Sequence, residues 1–107
     1  MDPPHVDYNS PGPSAIALDL GGGIGIAVAR SSSCGSSLVV SGNAGAARVS
    51  VVGRSGPVRY GVSREALDDT RYSFAIMRGG EYDVIMDGRV AATVRPLERH
   101  VVALARP

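Results

Sequence analysis

Side-chain alternation over short segments is the feature of this 107-residue sequence that most constrains its fold. Apolar residues recur at every second position, as in Ile24, Ile26 and Val28, and the segments that carry them are separated by Gly, Ser, Pro or Asp. Because successive side chains of a strand point to opposite faces, this period predicts strands with one buried face. Short strands that follow one another at such intervals are typical of all-β sandwiches.

We predict an all-β fold, a single antiparallel β-sandwich of 7–9 short strands that occupies residues 14–107. The candidate strands are 14–20, 24–29, 38–41, 47–52, 58–62, 72–76, 82–86, 90–94 and 101–105. Asp87-Gly88 is the strongest signal for a two-residue hairpin turn. A helical pattern occurs only near residues 63–69, where it allows at most one short helical turn.

The first thirteen residues carry four prolines and no apolar period. We therefore expect an N-terminal arm over residues 1–13 that is extended or disordered. The following stretch, Ser14–Ala29, contains Asp19 and four glycines, and no basic residue precedes it, which argues against a signal peptide. No uncharged apolar run reaches the length of about 18 residues that a transmembrane helix needs. The expected location is cytoplasmic, with no membrane partner.

Composition narrows the classes of ligand. The formal net charge is +1 and aromatic residues make up 5% of the chain, which argues against a nucleic-acid partner. Cys34 is the one cysteine, so an internal disulfide and a multi-thiolate metal site are excluded. A chain with one cysteine and no internal disulfide is consistent with a reducing compartment.

The charges are distributed unevenly along the chain. Residues 20–64 contain five arginines and no acid, whereas residues 65–107 contain seven acids and six arginines. One interpretation is that the fold pairs its own oppositely charged segments. The alternative is that arginines of the acid-free segment bind a small anionic ligand or an acidic partner. Candidate ligand-binding residues for that alternative are Arg48 and Arg59, with Tyr60 on the opposite face of the same strand as Arg59.

The string Leu18–Gly25 is similar to the first motif of S-adenosylmethionine methyltransferases and to the first phosphate-binding hairpin of actin and Hsp70-type ATPases. The methyltransferase motif must open a helix and lead to a second strand that ends in an acid. Here the residues that follow keep the alternation of a strand, and no acid appears until Glu65. The ATPase hairpin belongs to a much longer domain. We therefore interpret these glycines as a β-turn and expect no cofactor.

Candidates for catalysis are few. Cys34 and His100 could form a nucleophile and its base, and His5 folded back onto His100 could contribute to a metal site. A lone thiol and a surface histidine are the simpler interpretation, so we predict no catalytic residues and no metal ligands. Asp83 and Asp87 flank a hairpin, where turn formation is their expected role.

Two segments resemble parts of known sandwiches. Residues 68–74, in which Tyr72 follows an acidic turn, resemble the corner before strand F of immunoglobulin-like domains. Gly80-Glu81-Tyr82 followed by Asp87-Gly88 is similar to the last hairpin of transthyretin-like sandwiches. These resemblances imply an immunoglobulin-like or transthyretin-like arrangement of the predicted strands.

A third resemblance covers about a third of the chain. Residues 15–25, the preceding segment 5–8 and the Gly-Glu-Tyr hairpin at residues 80–82 resemble small uncharacterised actinobacterial proteins with a Leu-Asp-Leu/Ile-Gly-Gly hairpin. The sequence departs from them at Gly23, where those proteins have an acid. Such proteins are sometimes labelled phospholipase, but residues 53–57 miss the Gly-x-Ser-x-Gly elbow by one position.

The function expected from the sequence is that of a non-enzymatic accessory module that binds an unknown protein partner through its surface or an exposed strand edge. Self-association as a homodimer is the simplest form of such contact, because small sandwiches have edges that must be blunted or paired. The alternatives are the anionic-ligand binder described above and an enzyme that uses Cys34 or His100.

Overall fold

The computed structural model describes residues 5–9, 15–30, 35–96 and 100–105, and most of them belong to strands. The strands are β1 (His5–Asn9), β2 (Ala15–Gly21), β3 (Ile24–Arg30), β4 (Gly35–Ser41), β5 (Ser50–Ser55), β6 (Val58–Gly61), β7 (Arg64–Ala66), β8 (Arg71–Met77), β9 (Glu81–Met86), β10 (Arg89–Pro96) and β11 (His100–Ala105). A 3₁₀-helix at Ala44–Arg48 separates β4 from β5.

The strands form two antiparallel sheets. The six-stranded sheet has the order β1-β11-β10-β9-β5-β6, and the five-stranded sheet has the order β2-β3-β4-β8-β7. On one side of the sandwich, β2 contacts β11 and β1, so the two sheets approach each other there. The edges at the other side are β6 and β7, and the chain crosses from one sheet to the other between them.

The all-β prediction is confirmed, and each of the nine predicted strands corresponds to a strand of the structure. Two further short strands were not predicted. The first is β1, which lies in the predicted arm and pairs with β11, with His5 opposite Leu104. The remaining residues of the arm lie outside the described part of the chain. The second is β7, which pairs with the start of β8.

The helical turn lies elsewhere than the sequence predicts. Residues 64–66 form β7, whose side chains are all exposed, so a helix there would have had no apolar face to bury. The 3₁₀-helix forms instead at Ala44–Arg48, where the Asn43 side chain accepts a hydrogen bond from the Gly45 amide and Ala46 is buried. Because this helix takes residues 44–48, β5 begins at Ser50 rather than at residue 47.

The core lies between the sheets and follows the predicted alternation. Ile24, Ile26 and Val28 of β3 are buried as expected. The five-stranded sheet also contributes Leu38, Val40, Phe74 and Ile76, and the six-stranded sheet contributes Val51, Tyr82, Val84, Ala92 and Val94. Burial of these alternate side chains is the principal favourable term for a fold of this kind.

The glycine-rich string forms the β2–β3 hairpin, as the β-turn interpretation predicted. Gly21, Gly22 and Gly23 all have positive φ, a backbone region that L side chains rarely adopt. The turn contacts the segment after β4, because the Asn43 amide donates to the Gly22 carbonyl at 3.0 Å. Gly42 approaches even more closely, since a Cβ on this residue would lie 2.2 Å from the Gly23 carbonyl oxygen.

Candidate functional site at the β6 edge

The structure separates the three residues that the sequence groups as a possible anion site. Arg59 and Tyr60 are neighbours on β6 and point to opposite faces of the six-stranded sheet. Arg48 is the last residue of the 3₁₀-helix and precedes the start of β5. Arg59 lies opposite Arg54, which is near the C-terminal end of β5. Arg48 and Arg59 therefore do not form one cluster.

Arg48 lies at the rim of a small cavity of about 90 Å³ between the β2–β3 turn, the 3₁₀-helix and the β9–β10 turn. Its guanidinium lies 3.9 Å from the Asp87 carboxylate, and the two side chains are 74% and 61% exposed. Because exposed pairs at this distance are screened by water, we expect little stabilisation from the contact. The carboxylate also offsets the positive charge that an anion would need.

Arg59 belongs to a polar cluster on the outer face of the six-stranded sheet, the face turned away from the core. We call this group the Asp83 cluster; its members are Arg54, Arg59, Glu81, Asp83, Thr93 and Arg95. Four strands bring them together, because β9 lies between β5 and β10 while β6 is hydrogen-bonded to β5. The cluster links charges that are far apart in sequence.

Asp83 is the centre of this cluster. Its carboxylate accepts hydrogen bonds from Arg54 at 3.0 Å, from Arg59 at 3.3 Å and from the Thr93 hydroxyl at 3.0 Å. The side chain is only 5% exposed although it lies on an outer face. A carboxylate that is buried in this way is compensated by the donors around it.

Glu81 extends the cluster along the same face. Its carboxylate pairs with Arg54 through one oxygen and with Arg95 through the other, the latter at 3.1 Å. The cluster as a whole holds three arginines against two carboxylates. The positive charge of this face is therefore largely matched within the molecule.

This pairing supports the interpretation that the fold neutralises its own segments. Arg48, Arg54 and Arg59 all come from the acid-free segment 20–64, and every acid that they contact comes from residues 65–107. Arg64 makes a different contact, since it donates to the Ala47 carbonyl and its guanidinium lies 4.9 Å from the centre of the Tyr72 ring. The anion-binding alternative stays a prediction.

The other face of β6 presents apolar side chains to solvent. All four residues of the strand are exposed, and the exposed fractions of Val58 and Tyr60 are 58% and 42%. Met77, at the end of β8, is 56% exposed. We call Val58 and Tyr60, with the backbone of β6, the β6 edge surface. Met77 follows the buried Ile76 in β8, so its side chain lies on the outer face of the five-stranded sheet and is not part of this surface. Val58 and Tyr60 project toward the five-stranded sheet, but β7 is too short to cover them.

Gly53 determines how Tyr60 packs. Gly53 lies between Tyr60 and Tyr82 in the register of three adjacent strands. A Cβ on Gly53 would lie 2.4 Å from the Tyr60 ring, so the ring occupies the space that a larger residue would fill. The Tyr60 hydroxyl then donates to the Tyr82 hydroxyl oxygen at 3.5 Å, and the amide of Met77 donates to the same oxygen at 2.8 Å. Tyr82 thus links the Tyr60 side chain to the backbone at the end of β8.

Burial raises the pKa of the Tyr82 phenol, and the hydrogen bond from the Met77 amide opposes this rise without cancelling it. The unfolded-state pKa of a tyrosine is about 10. Because the pKa of Tyr82 is higher than this in the folded state, its phenol stabilises the fold fully below about pH 10, and this contribution is lost as the pH rises through the folded-state pKa.

We therefore expect the free energy of unfolding of the wild-type protein to fall more steeply above pH 10 than that of Tyr82→Phe, which lacks the ionisable group. Urea unfolding at pH 7, 9, 10 and 11 measures both profiles. At pH 7 the variant loses about 1 kcal/mol because the Met77 amide loses its acceptor. Parallel profiles for the two proteins would contradict the assignment.

Cys34 lies outside the described residues, so its pairing with His100 stays a prediction. In the register of β1 and β11, His5 lies opposite Leu104 and His100 lies opposite Asn9, so the strands do not place the two histidines opposite each other. Within the described part of the chain, no group of three or more His, Cys, Asp or Glu side chains could hold a metal ion. The same residues include no helix that is long and apolar enough to cross a membrane.

Sequence reasoning did not identify the Asp83 cluster or Gly53. Asp83 was interpreted as a turn residue, although its alternation with Tyr82 and Val84 could have placed it on an outer face. Its partners depend on the pairing of β9 with β5, and no local pattern reports that pairing.

Comparisons of this chain with protein-family models, with curated proteins and with solved structures find no match. The resemblance to small actinobacterial proteins therefore stays a prediction, and so does the choice between an immunoglobulin-like and a transthyretin-like arrangement.

Proposed function

We propose that this protein is a non-enzymatic β-sandwich module that binds a protein partner through the β6 edge surface. One observation carries the proposal: β6 ends a six-stranded sheet, and both its apolar side chains, Val58 and Tyr60, are exposed.

An edge strand offers backbone N–H and C=O groups that a further strand can pair with. Partners that bind in this way gain affinity from main-chain hydrogen bonds and specificity from alternate side chains. The β6 edge surface supplies both, because Val58 and Tyr60 alternate with Arg59 and Gly61 along one strand.

Two of the other edges, β2 and β7, are less suited to binding. β2 contacts β11 and β1, so its edge faces the other sheet rather than open solvent. β7 has three residues, and a short edge strand is one of the means by which sandwiches prevent unwanted pairing. β6 is longer and has a hydrogen-bonded hairpin partner that holds it in place.

Site-specific photo-crosslinking in the cells that encode the protein tests this proposal. The photoreactive residue p-benzoylphenylalanine replaces Val58 in one variant and Glu65, on β7, in a matched control. We expect one identified protein to crosslink reproducibly at position 58 and not at position 65. The purified partner should then bind the wild-type protein at least about tenfold more tightly than Tyr60→Lys, which places a charge in the apolar part of the surface.

Absence of crosslinking at position 58, or the same products at both positions, would overturn the proposal. Equal affinity of the wild-type protein and Tyr60→Lys for the purified partner would have the same consequence. Circular dichroism of Tyr60→Lys confirms that the variant folds, since the substituted side chain is already partly in solvent.

A further inference from the structure

The backbone of β6 alternates between groups that face β5 and groups that face away. The amide of Val62 donates to the Val51 carbonyl at 2.9 Å, so residue 62 faces β5. Because hydrogen-bonded and non-hydrogen-bonded pairs alternate along antiparallel strands, Tyr60 and Val58 face β5 as well. The N–H and C=O groups of Arg59 and Gly61 therefore point outward from the sheet.

The hairpin turn agrees with this assignment. Ser55 and Val58 are opposite each other and are joined by the two residues Gly56 and Pro57. Gly56 has a φ of +58°, as the first central residue of a type I′ or II′ turn requires. The pair that closes a two-residue hairpin is hydrogen-bonded, which again leaves residue 59 facing away from β5.

We infer that the partner at this edge is a second copy of the chain, whose β6 pairs antiparallel with β6 of the first about a twofold axis at Tyr60. This inference rests on the proposed function and names its partner. Arg59 and Gly61 lie one residue on either side of Tyr60. A twofold axis there places Arg59 opposite Gly61 of the second copy and Gly61 opposite its Arg59, and each pair exchanges both backbone hydrogen bonds.

Charge and backbone chemistry select this register over its neighbours. A twofold axis at Arg59 would place two arginines opposite each other and Gly61 opposite Pro57, which has no N–H to donate. An axis at Gly61 would pair Arg59 with Ser63, which lies beyond the end of β6. An axis at Tyr60 keeps both hydrogen-bonded pairs within β6 and places the side chain of Arg59 beside a glycine.

Side chains fit the same arrangement. The symmetry keeps the apolar faces of both β6 strands on one side, so Tyr60 lies beside Tyr60 of the second copy in a non-hydrogen-bonded pair. Each Tyr60 ring lies over Gly53 of its own chain and its hydroxyl donates to Tyr82, so this pair brings the two β-carbons together rather than the two rings. Val58 lies opposite Val62 of the second copy, and Val62 already packs against the core. The contact to Asp83 at 3.3 Å turns the charge of Arg59 toward the opposite face of the strand.

Cysteine crosslinking tests both the partner and the register. Paired residues at a non-hydrogen-bonded position have Cα atoms about 4.5 Å apart, within the range of about 4.4 to 6.8 Å that a disulfide needs. In a Cys34→Ser background, Tyr60→Cys should form a disulfide-linked dimer under mild oxidation. Val58→Cys in the same background is the matched control, because it is more exposed but faces residue 62. We expect the Tyr60→Cys dimer to form at least about tenfold faster.

Sedimentation equilibrium on the wild-type chain provides a readout that does not depend on the substitutions. We expect a concentration-dependent dimer that Tyr60→Lys abolishes. A monomeric wild type at all concentrations up to about 1 mM would overturn the inference. Faster crosslinking of Val58→Cys would overturn the register. If a different protein crosslinks at position 58 in cells while the chain stays monomeric, the proposed function stands and this inference fails.

Discussion

Asp83→Asn is expected to lower the free energy of unfolding at neutral pH by about 2–3 kcal/mol. The carboxylate is buried and accepts from Arg54, Arg59 and Thr93. Asparagine has the same shape as aspartate, but its side-chain NH2 group would face the guanidinium N–H groups of the two arginines. Hydrogen-bond donors would then oppose each other. Breaking a fully buried ion pair costs about 3–5 kcal/mol, and the partial exposure of both arginines reduces that figure.

Urea unfolding followed by circular dichroism measures this loss. Asp87→Asn is the control, since that carboxylate is exposed and lies 3.9 Å from an exposed arginine. Asparagine also tolerates the positive φ of 53° at position 87. We expect the control to stay within about 0.5 kcal/mol of the wild-type protein. Equal stability of Asp83→Asn and the wild-type protein would show that the cluster contributes nothing to the fold.

Gly42→Ala is expected to cost about 3 kcal/mol or more. Gly42 has a φ of +153°, and a Cβ there would lie 2.2 Å from the Gly23 carbonyl oxygen and 2.9 Å from a methyl carbon of Ile24. The nearest obstacle is backbone and cannot rotate away. The Gly42 amide also donates to the Thr70 carbonyl at 3.2 Å, so the residue cannot move without breaking a second contact.

Gly22→Ala is the matched control for this substitution. Gly22 also has positive φ, at +65°, but nothing lies within 4 Å of a Cβ built there. We therefore expect a loss of about 1 kcal/mol, from backbone strain alone. Thermal and urea unfolding of both variants separate the two causes. Similar losses at positions 22 and 42 would show that the close approach to Gly23 is not a constraint.

The period of two predicted most of the fold because it records burial on one face. In β3 it identified Ile24, Ile26 and Val28 as core residues, and the structure buries all three. The same rule failed to find β1, since the segment around His5 lies among prolines and shows no apolar period. That strand exists because β11 offers an edge to pair with, and the period of a sequence contains no information about such distant partners.

The candidate surface was predictable only in part, for the same reason. The sequence named Arg59 and Tyr60 and placed them on opposite faces of one strand. It could not show that this strand ends a sheet, and only that position leaves Tyr60 exposed. Nor could it show that Asp83 would pair with Arg59, since β5 lies between their two strands in the sheet. Sheet order decides both outcomes, and sheet order comes from packing of the whole chain.

The pairing of β1 with β11 has a consequence for the order of assembly. β2, β3 and β4 pair with their neighbours in sequence and can associate as soon as the ribosome releases them. β1 is synthesised first, yet His5 pairs opposite Leu104 and must wait for almost the entire domain. Closing a loop of this length is slow and entropically costly. Addition of β1 is therefore the final step in building the larger sheet. A nascent chain that stops before β11 leaves the edge of β10 unpaired, so that a strand of another chain can pair with it.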